Sequence, residues 1–108
     1  MTFPIQFAFH QMDRSEALEA AIREHAEKIS RVHPAITNVH VAVTQATRHS
    51  AKARRFDVRL DVHVEGKSIA ITRKGDADAF AATRDAFDVA RRLLESELDA
   101  TREFDKQR

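Results

Sequence analysis

An α+β domain with the order β-α-β-β-β-α is predicted by three features of this 108-residue sequence. Four segments alternate apolar and polar residues, the period of a half-buried strand. Two others repeat apolar residues at three- and four-residue steps, the period of a helix with one buried stripe. Both stripes and all the strand faces are one-sided, so a four-stranded mixed sheet with two helices packed on one face buries them in the fewest layers.

The first strand is marked by Phe3, Ile5, Phe7 and Phe9, which alternate with small or polar residues. Pro4 has no amide hydrogen for a ladder, so the strand begins at or just after it, or lies at a sheet edge. Asp13-Arg14-Ser15-Glu16 reads as a capping-box-like helix start, with acids near the positive end of the dipole. Leu18, Ile22, His25, Ile29 and Val32 carry that helix to its end before Pro34. Here His25 is expected to be a packed boundary residue. Val39, Val41 and Val43 alternate with Asn38, His40, Ala42 and Thr44 in a second strand. Phe56, Val58, Leu60, Val62 and Val64 alternate with Asp57, Arg59, Asp61, His63 and Glu65 in a third.

Gly66-Lys67 reads as a tight turn, Ile69 and Ile71 as a fourth strand, and Gly75 as its break. Asp78 can cap a second helix bearing Phe80, Thr83, Phe87, Ala90, Leu94 and Leu98 on one stripe. The helix between the first two strands lets them lie parallel through a right-handed crossover, and the later strands follow as hairpins. Val41, Val58, Leu60, Ile71, Phe80 and Phe87 are expected in the core. Gln6, His10, His40, Thr44, Arg59, Asp61 and His63 are expected on the open face of the sheet. Residues 1–98 are read as one domain and 99–108 as a polar, frayed C-terminal tail.

Hydrophobic content of 43% and charged content of 32% suit a folded domain rather than a disordered chain. The absence of Cys excludes a disulfide frame, a thiol nucleophile and a Cys-based zinc site. The first residues lack a basic and then apolar leader, and no stretch is long and apolar enough to span a bilayer. No signal peptide and no membrane span are therefore expected, and the expected location is the cytoplasm. The sequence has no Gly-rich phosphate loop, GxSxG or HExxH, and its carboxylates fall at helix starts and on solvated faces. No enzyme, cofactor or small-molecule substrate is expected.

The six His do not suggest a metal centre. For Val43 to share a face with Phe56 or Val58, His40 must lie opposite Arg59 or Asp61. His63 then lies opposite Ile36 or Asn38, so the two imidazoles are at best diagonal. Zinc wants three or four converging ligands.

Charge patterning is more informative. The chain is only +1 overall, yet TQATRHSAKARRF (residues 44–56) holds Arg48, Lys52, Arg54 and Arg55 and no acid. Lys28, Arg31, Arg73 and Lys74 are expected near the same sheet end or on the helix surface. Unmixed cations on a protruding hairpin can reach RNA phosphates and displace counterions, whereas the plainer reading is a solvated tip. With no Trp or Tyr, and six of seven Phe on expected core faces, RNA would be held by phosphate and shape.

The element order, with HVEGKSIAITRKGDADAFAATRDAFDVARRLLESEL and RHSAKARRFDVRLDV, resembles the ribosome hibernation factor and ribosome-associated inhibitor family, also called S30EA or sigma-54 modulation. The resemblance covers roughly residues 3 to 98. Asp78-Ala79-Phe80-Ala81-Ala82 is similar to that family's Asp-x-Tyr-Ala-Ala, with Phe in place of Tyr. Arg84-Asp85-Ala86-Phe87-Asp88-x-Ala90-Arg91-Arg92 resembles short members with a basic loop before the third strand.

What the resemblance implies is non-catalytic binding to the 30S ribosomal subunit and its 16S rRNA, in the channel for tRNA and mRNA. Such binding would restrain translation during stress or rest. The helices would present bases to the RNA, with Lys28 and Arg92 on basic positions of the two helices and Arg91 beside the latter. The candidate RNA-binding set is Lys28, Arg31, Arg48, Lys52, Arg54, Arg55, Arg73, Lys74, Arg91 and Arg92. Where the family's second helix usually ends in bases, this one has Glu95-Ser96-Glu97-Leu98-Asp99. The alternatives are a protein-interaction module or homodimer that does not bind ribosomes, and a general binder of structured RNA.

Overall fold

The computed structural model describes residues 3–46 and 55–106, with side chains to residue 96. The elements are β1 (Ile5–His10), α1 (Glu16–Val32), β2 (Ile36–Ala46), β3 (Arg55–Val64), β4 (Lys67–Asp76) and α2 (Ala79–Lys106). The four strands form one sheet in the order β1-β2-β3-β4, with β1 parallel to β2 and the other two pairs antiparallel. This is the mixed sheet expected, with β1 and its neighbouring Pro4 at an edge. The register is one of the two that strand parity allowed: Val41 faces Leu60, His40 faces Asp61 and His63 faces Asn38.

Both helices begin at side-chain caps. Ser15 Oγ accepts the Leu18 amide at 3.2 Å, and Asp78 Oδ1 accepts those of Phe80 at 2.9 Å and Ala81 at 3.4 Å. These bonds satisfy amides that have no partner inside a first helical turn. Ser15 is the cap and Leu18 stands at N3, so the capping box read from Asp13-Arg14-Ser15-Glu16 does not form, and Glu19 turns to Arg14. It takes a fork of hydrogen bonds from Arg14, from Nε and, at 3.2 Å, from Nη2. The α1 helix stops at Val32, with His33 as its cap and Pro34 next, because the residue before proline avoids helical geometry.

The core lies between the sheet and the helices. Leu18, Ile22, Ala26 and Ile29 of α1 join Val39, Val41, Val43, Val58, Leu60, Val62 and Ile71 of the sheet, and the small face of α2 closes it. Ala79, Ala82, Ala86 and Ala90 bring α2 close, and the fully buried Thr83 donates its hydroxyl to Ala79 O at 2.7 Å. That bond removes the cost of a hydroxyl in the interior.

Three local expectations need correction. Phe80 is not in the core: it is 47% exposed. The buried stripe of α2 runs through Ala79, Ala82, Thr83, Ala86 and Phe87, and Phe80 stands about 100° around the helix from Ala79, in the first turn. The turn after β3 is centred on Glu65-Gly66 rather than Gly66-Lys67, since Val64 pairs with Lys67 and Gly66 has φ +79°. Gly75 does not end β4, which continues to Asp76 through a bulge. Its φ of +72° suits glycine, and its amide donates to Asp57 Oδ1 at 2.9 Å. The α2 backbone stays helical beyond Leu98, to Lys106.

Candidate nucleic-acid interface

Topology sets two ends. Strands β1, β2 and β4 run in one direction, so both helices start at the sheet end where these strands finish and β3 begins. Lys28, Arg31, Arg91 and Arg92 lie well along the helices from that end.

Between the helices, His25, Lys28, Ile29 and Val32 of α1 and Phe87, Asp88 and Arg91 of α2 line a groove of about 240 Å³. Its floor is the His25 imidazole stacked on Phe87, with centroids 5.4 Å apart and planes 25° from parallel. The sequence-based reading of His25 as a packed boundary residue agrees with this placement. Burial holds its pKa below the ordinary histidine value, and the nearby Lys28 charge lowers it further. Lys28 and Arg91 stand exposed on facing walls, and Arg92 is exposed next to Arg91.

Acids temper two of these cations. Arg31 pairs with Glu27 at 2.8 Å and Arg91 with Glu95 at 3.4 Å, both across one helical turn and both in solvent. Exposed pairs of this kind contribute at most about 1 kcal/mol, so a phosphate can compete for either guanidinium. Among the described residues, Lys28 and Arg92 form no ion pair.

The remaining candidates sit at the other end. Arg55 opens β3 and Lys74 is exposed near the close of β4. Arg73 is drawn toward the helix layer, 3.7 Å from Asp85 of α2. Arg48, Lys52 and Arg54 lie outside the described residues. The ten candidates are therefore not one patch: four share the helix pair, and the described others share the sheet end. Sequence reasoning missed the groove itself, because the α1 and α2 residues that line it are about sixty positions apart and only packing joins them. It also passed over Arg84, exposed on α2 and close enough to lower the His25 pKa further.

On the open face, Asp61 accepts from Arg59 Nε at 3.3 Å and lies 3.9 Å from His40 Nδ1, while His63 Nδ1 is 2.7 Å from Ser68 Oγ. Among the described residues, no group of three His, Cys, Asp or Glu is placed to hold a metal ion. Within the same residues no helix is long and apolar enough to cross a membrane.

Residues 5–102 match the family model described as Sigma 54 modulation protein / S30EA ribosomal protein. The chain belongs to that family. It is a family of non-catalytic, ribosome-associated translation regulators. Among solved structures, the S30EA fold seen here is similar to a ribosomal subunit interface protein from Coxiella burnetii, with TM-score 0.75 and 18% identity over 90% of this chain and 99% of that one. It is also similar to the N-terminal domain of Protein Y from Thermus thermophilus, with TM-score 0.71 and 14% identity over 84% and 93% of the two chains. At these identities the likeness speaks for the S30EA fold. No curated protein matches the chain.

Proposed function

We propose that this S30EA family member binds the 30S subunit in the cytoplasm, gripping 16S rRNA through phosphates, and restrains translation when cells are stressed or resting. The observation that carries the reading is the groove between the helices, where Lys28 and Arg91 stand on facing walls with Arg92 alongside. A cleft lined by cations at two walls grips a sugar-phosphate strand irrespective of its bases. The apolar floor of His25, Ile29 and Phe87 lowers the local dielectric, and charge interactions strengthen there.

The sheet end supplies the second grip, through Arg55 and Lys74, and the sequence reading adds Arg48, Lys52 and Arg54, which lie outside the described residues. Arg73 contributes only if it leaves Asp85. Two separated contacts suit a folded RNA surface better than a single strand.

Co-sedimentation with 30S subunits through sucrose at low and moderate salt tests the proposal. Wild-type protein should travel with the subunit and be stripped by salt. Replacing Arg48, Lys52, Arg54 and Arg55 together with Gln should flatten the log–log salt slope by about 0.7–0.9 per lost contact, or about 3 if all four engage. Its melting temperature should change little, as the sequence reading of this segment as a solvated connection expects. Parallel slopes would reduce the loop to a solvated tip, and no co-sedimentation at any salt would sink the ribosome reading.

A further inference from the structure

Where the chain enters both helices there is a second recess, of about 390 Å³. Met12, Leu18, Phe56, Ala79 and Phe80 form its apolar wall, and Phe80 leaves nearly half of its surface to solvent there. An exposed aromatic ring beside an open apolar hollow is a place for a partner's side chain.

The surroundings favour a partner of a particular charge. Asp13, Glu16 and Asp78 are exposed at or beside the lining, and Asp76, half-buried, accepts the Asp78 amide at 2.9 Å. Of the described cations within two residues of the lining, Arg14 is held by Glu19, which leaves Arg55. The caps already occupy part of what the helix starts could offer an anion: the Leu18 amide is bonded to Ser15 Oγ, and those of Phe80 and Ala81 to Asp78 Oδ1. RNA backbone would meet acids and few free donors.

We infer that this recess docks a basic protein segment that inserts one apolar side chain beside Phe80, with its Lys and Arg residues against the acidic rim. The apolar wall accounts for the anchor and the rim for the charge. The recess is separate from the groove between the helices but shares its sheet end with Arg55 and Lys74, so it is tested with peptide and no ribosome, where RNA at that end cannot compete.

Fluorescence anisotropy with a labelled short Lys/Arg peptide containing one central Leu reads the interaction directly. Binding should weaken with salt, and Ser in place of that Leu should weaken it. Phe80→Ala should weaken it roughly fivefold to tenfold, the scale of losing part of one aromatic contact, while the melting temperature holds. Asp13→Asn with Glu16→Gln and Asp78→Asn should weaken binding and flatten its salt dependence, and this variant gives an independent reading should Phe80→Ala fold poorly. Asn caps a helix about as well as Asp, so the change removes charge and keeps the cap. Equal binding of the Ser peptide, or no effect of either variant, would overturn the inference. So would self-association lost in Phe80→Ala, which would make a second copy the occupant, or an RNA oligonucleotide whose binding depends on Phe80.

Discussion

Lys28, Arg31, Arg91 and Arg92 gather toward the finish of α1 and the middle of α2, whereas Asp13, Glu16, Asp76 and Asp78 gather where both helices begin, at the sheet end that also holds Arg55 and Lys74. Part of this polarity is what any helix prefers. Acids beside an N-terminus and bases in a last turn oppose the macrodipole, and Arg31, in the last turn of α1, fits that preference. The dipole does not account for Arg91 and Arg92. They lie mid-way along α2, which runs from Ala79 to Lys106, beyond the reach of either terminal partial charge. Lys28 is one turn short of the end of α1 and faces Arg91 across the groove. The comparison separates charge that stabilises a helix from charge that needs a different explanation, and the second kind lines the groove.

The largest effect should come from the floor that both ends share. Leu60 is fully buried in the central strand β3. Leu60→Ala should cost about 2–5 kcal/mol in chemical denaturation, through lost burial and a cavity. Because α1 and α2 both rest on that core, RNA and peptide binding should weaken together. A loss at one end alone would show that the two do not share a platform.

Next in size is Lys28→Gln with Arg91→Gln and Arg92→Gln. The salt slope of 30S binding should flatten by about 2–3 in log–log terms, with peptide binding at the Phe80 recess unchanged. A uniform loss of both would mean that the two ends are not independent surfaces.

Glu95→Gln should act in the opposite direction and weakly. It releases Arg91 from a 3.4 Å exposed pair, so 30S binding should tighten by roughly a factor of two, the scale of one surface ion pair. Weaker binding would show that Glu95 positions Arg91 rather than competing for it.

Smallest are the pH effects, which have the same sign at the two ends but different windows. Burial depresses the His25 pKa in the fold, so the unfolded chain takes up a proton first as pH falls. Stability tied to His25 is complete above about pH 6.5 and declines as pH falls through the folded value. Hydrogen bonding from Arg14 depresses the Glu19 pKa, so its contribution persists above the ordinary glutamate range and is lost only in stronger acid. Melting curves of His25→Gln should lack the first decline, and those of Glu19→Gln the second.

Much of the fold was legible because it rests on local periodicity. Alternation in β2 and β3 placed Val41, Val58 and Leu60 on one face and restricted the pairing to two registers, one of which the structure adopts. Phe80 was misread because Phe80, Thr83 and Phe87 fit a helical stripe as well as Ala79, Thr83 and Ala86 do. Hydrophobicity favours the phenyl ring, but close approach to the sheet favours the alanines. The bulge at Gly75 was equally hidden, since its partner is the Asp57 carboxylate on the neighbouring strand.

By itself the sequence determined the element order, the parity of each strand, the helix start within residues 13–16, the cap at Asp78 and the excess of cations before β3. All of these follow from interactions within a few residues. Tertiary structure decided that Lys28 meets Arg91 across a groove, that Asp85 holds Arg73, and that Phe80 stands at an acidic rim. Those arrangements depend on how α2 lies against the sheet and α1. That geometry is set by the bulk of side chains far apart in the chain, which no local pattern records.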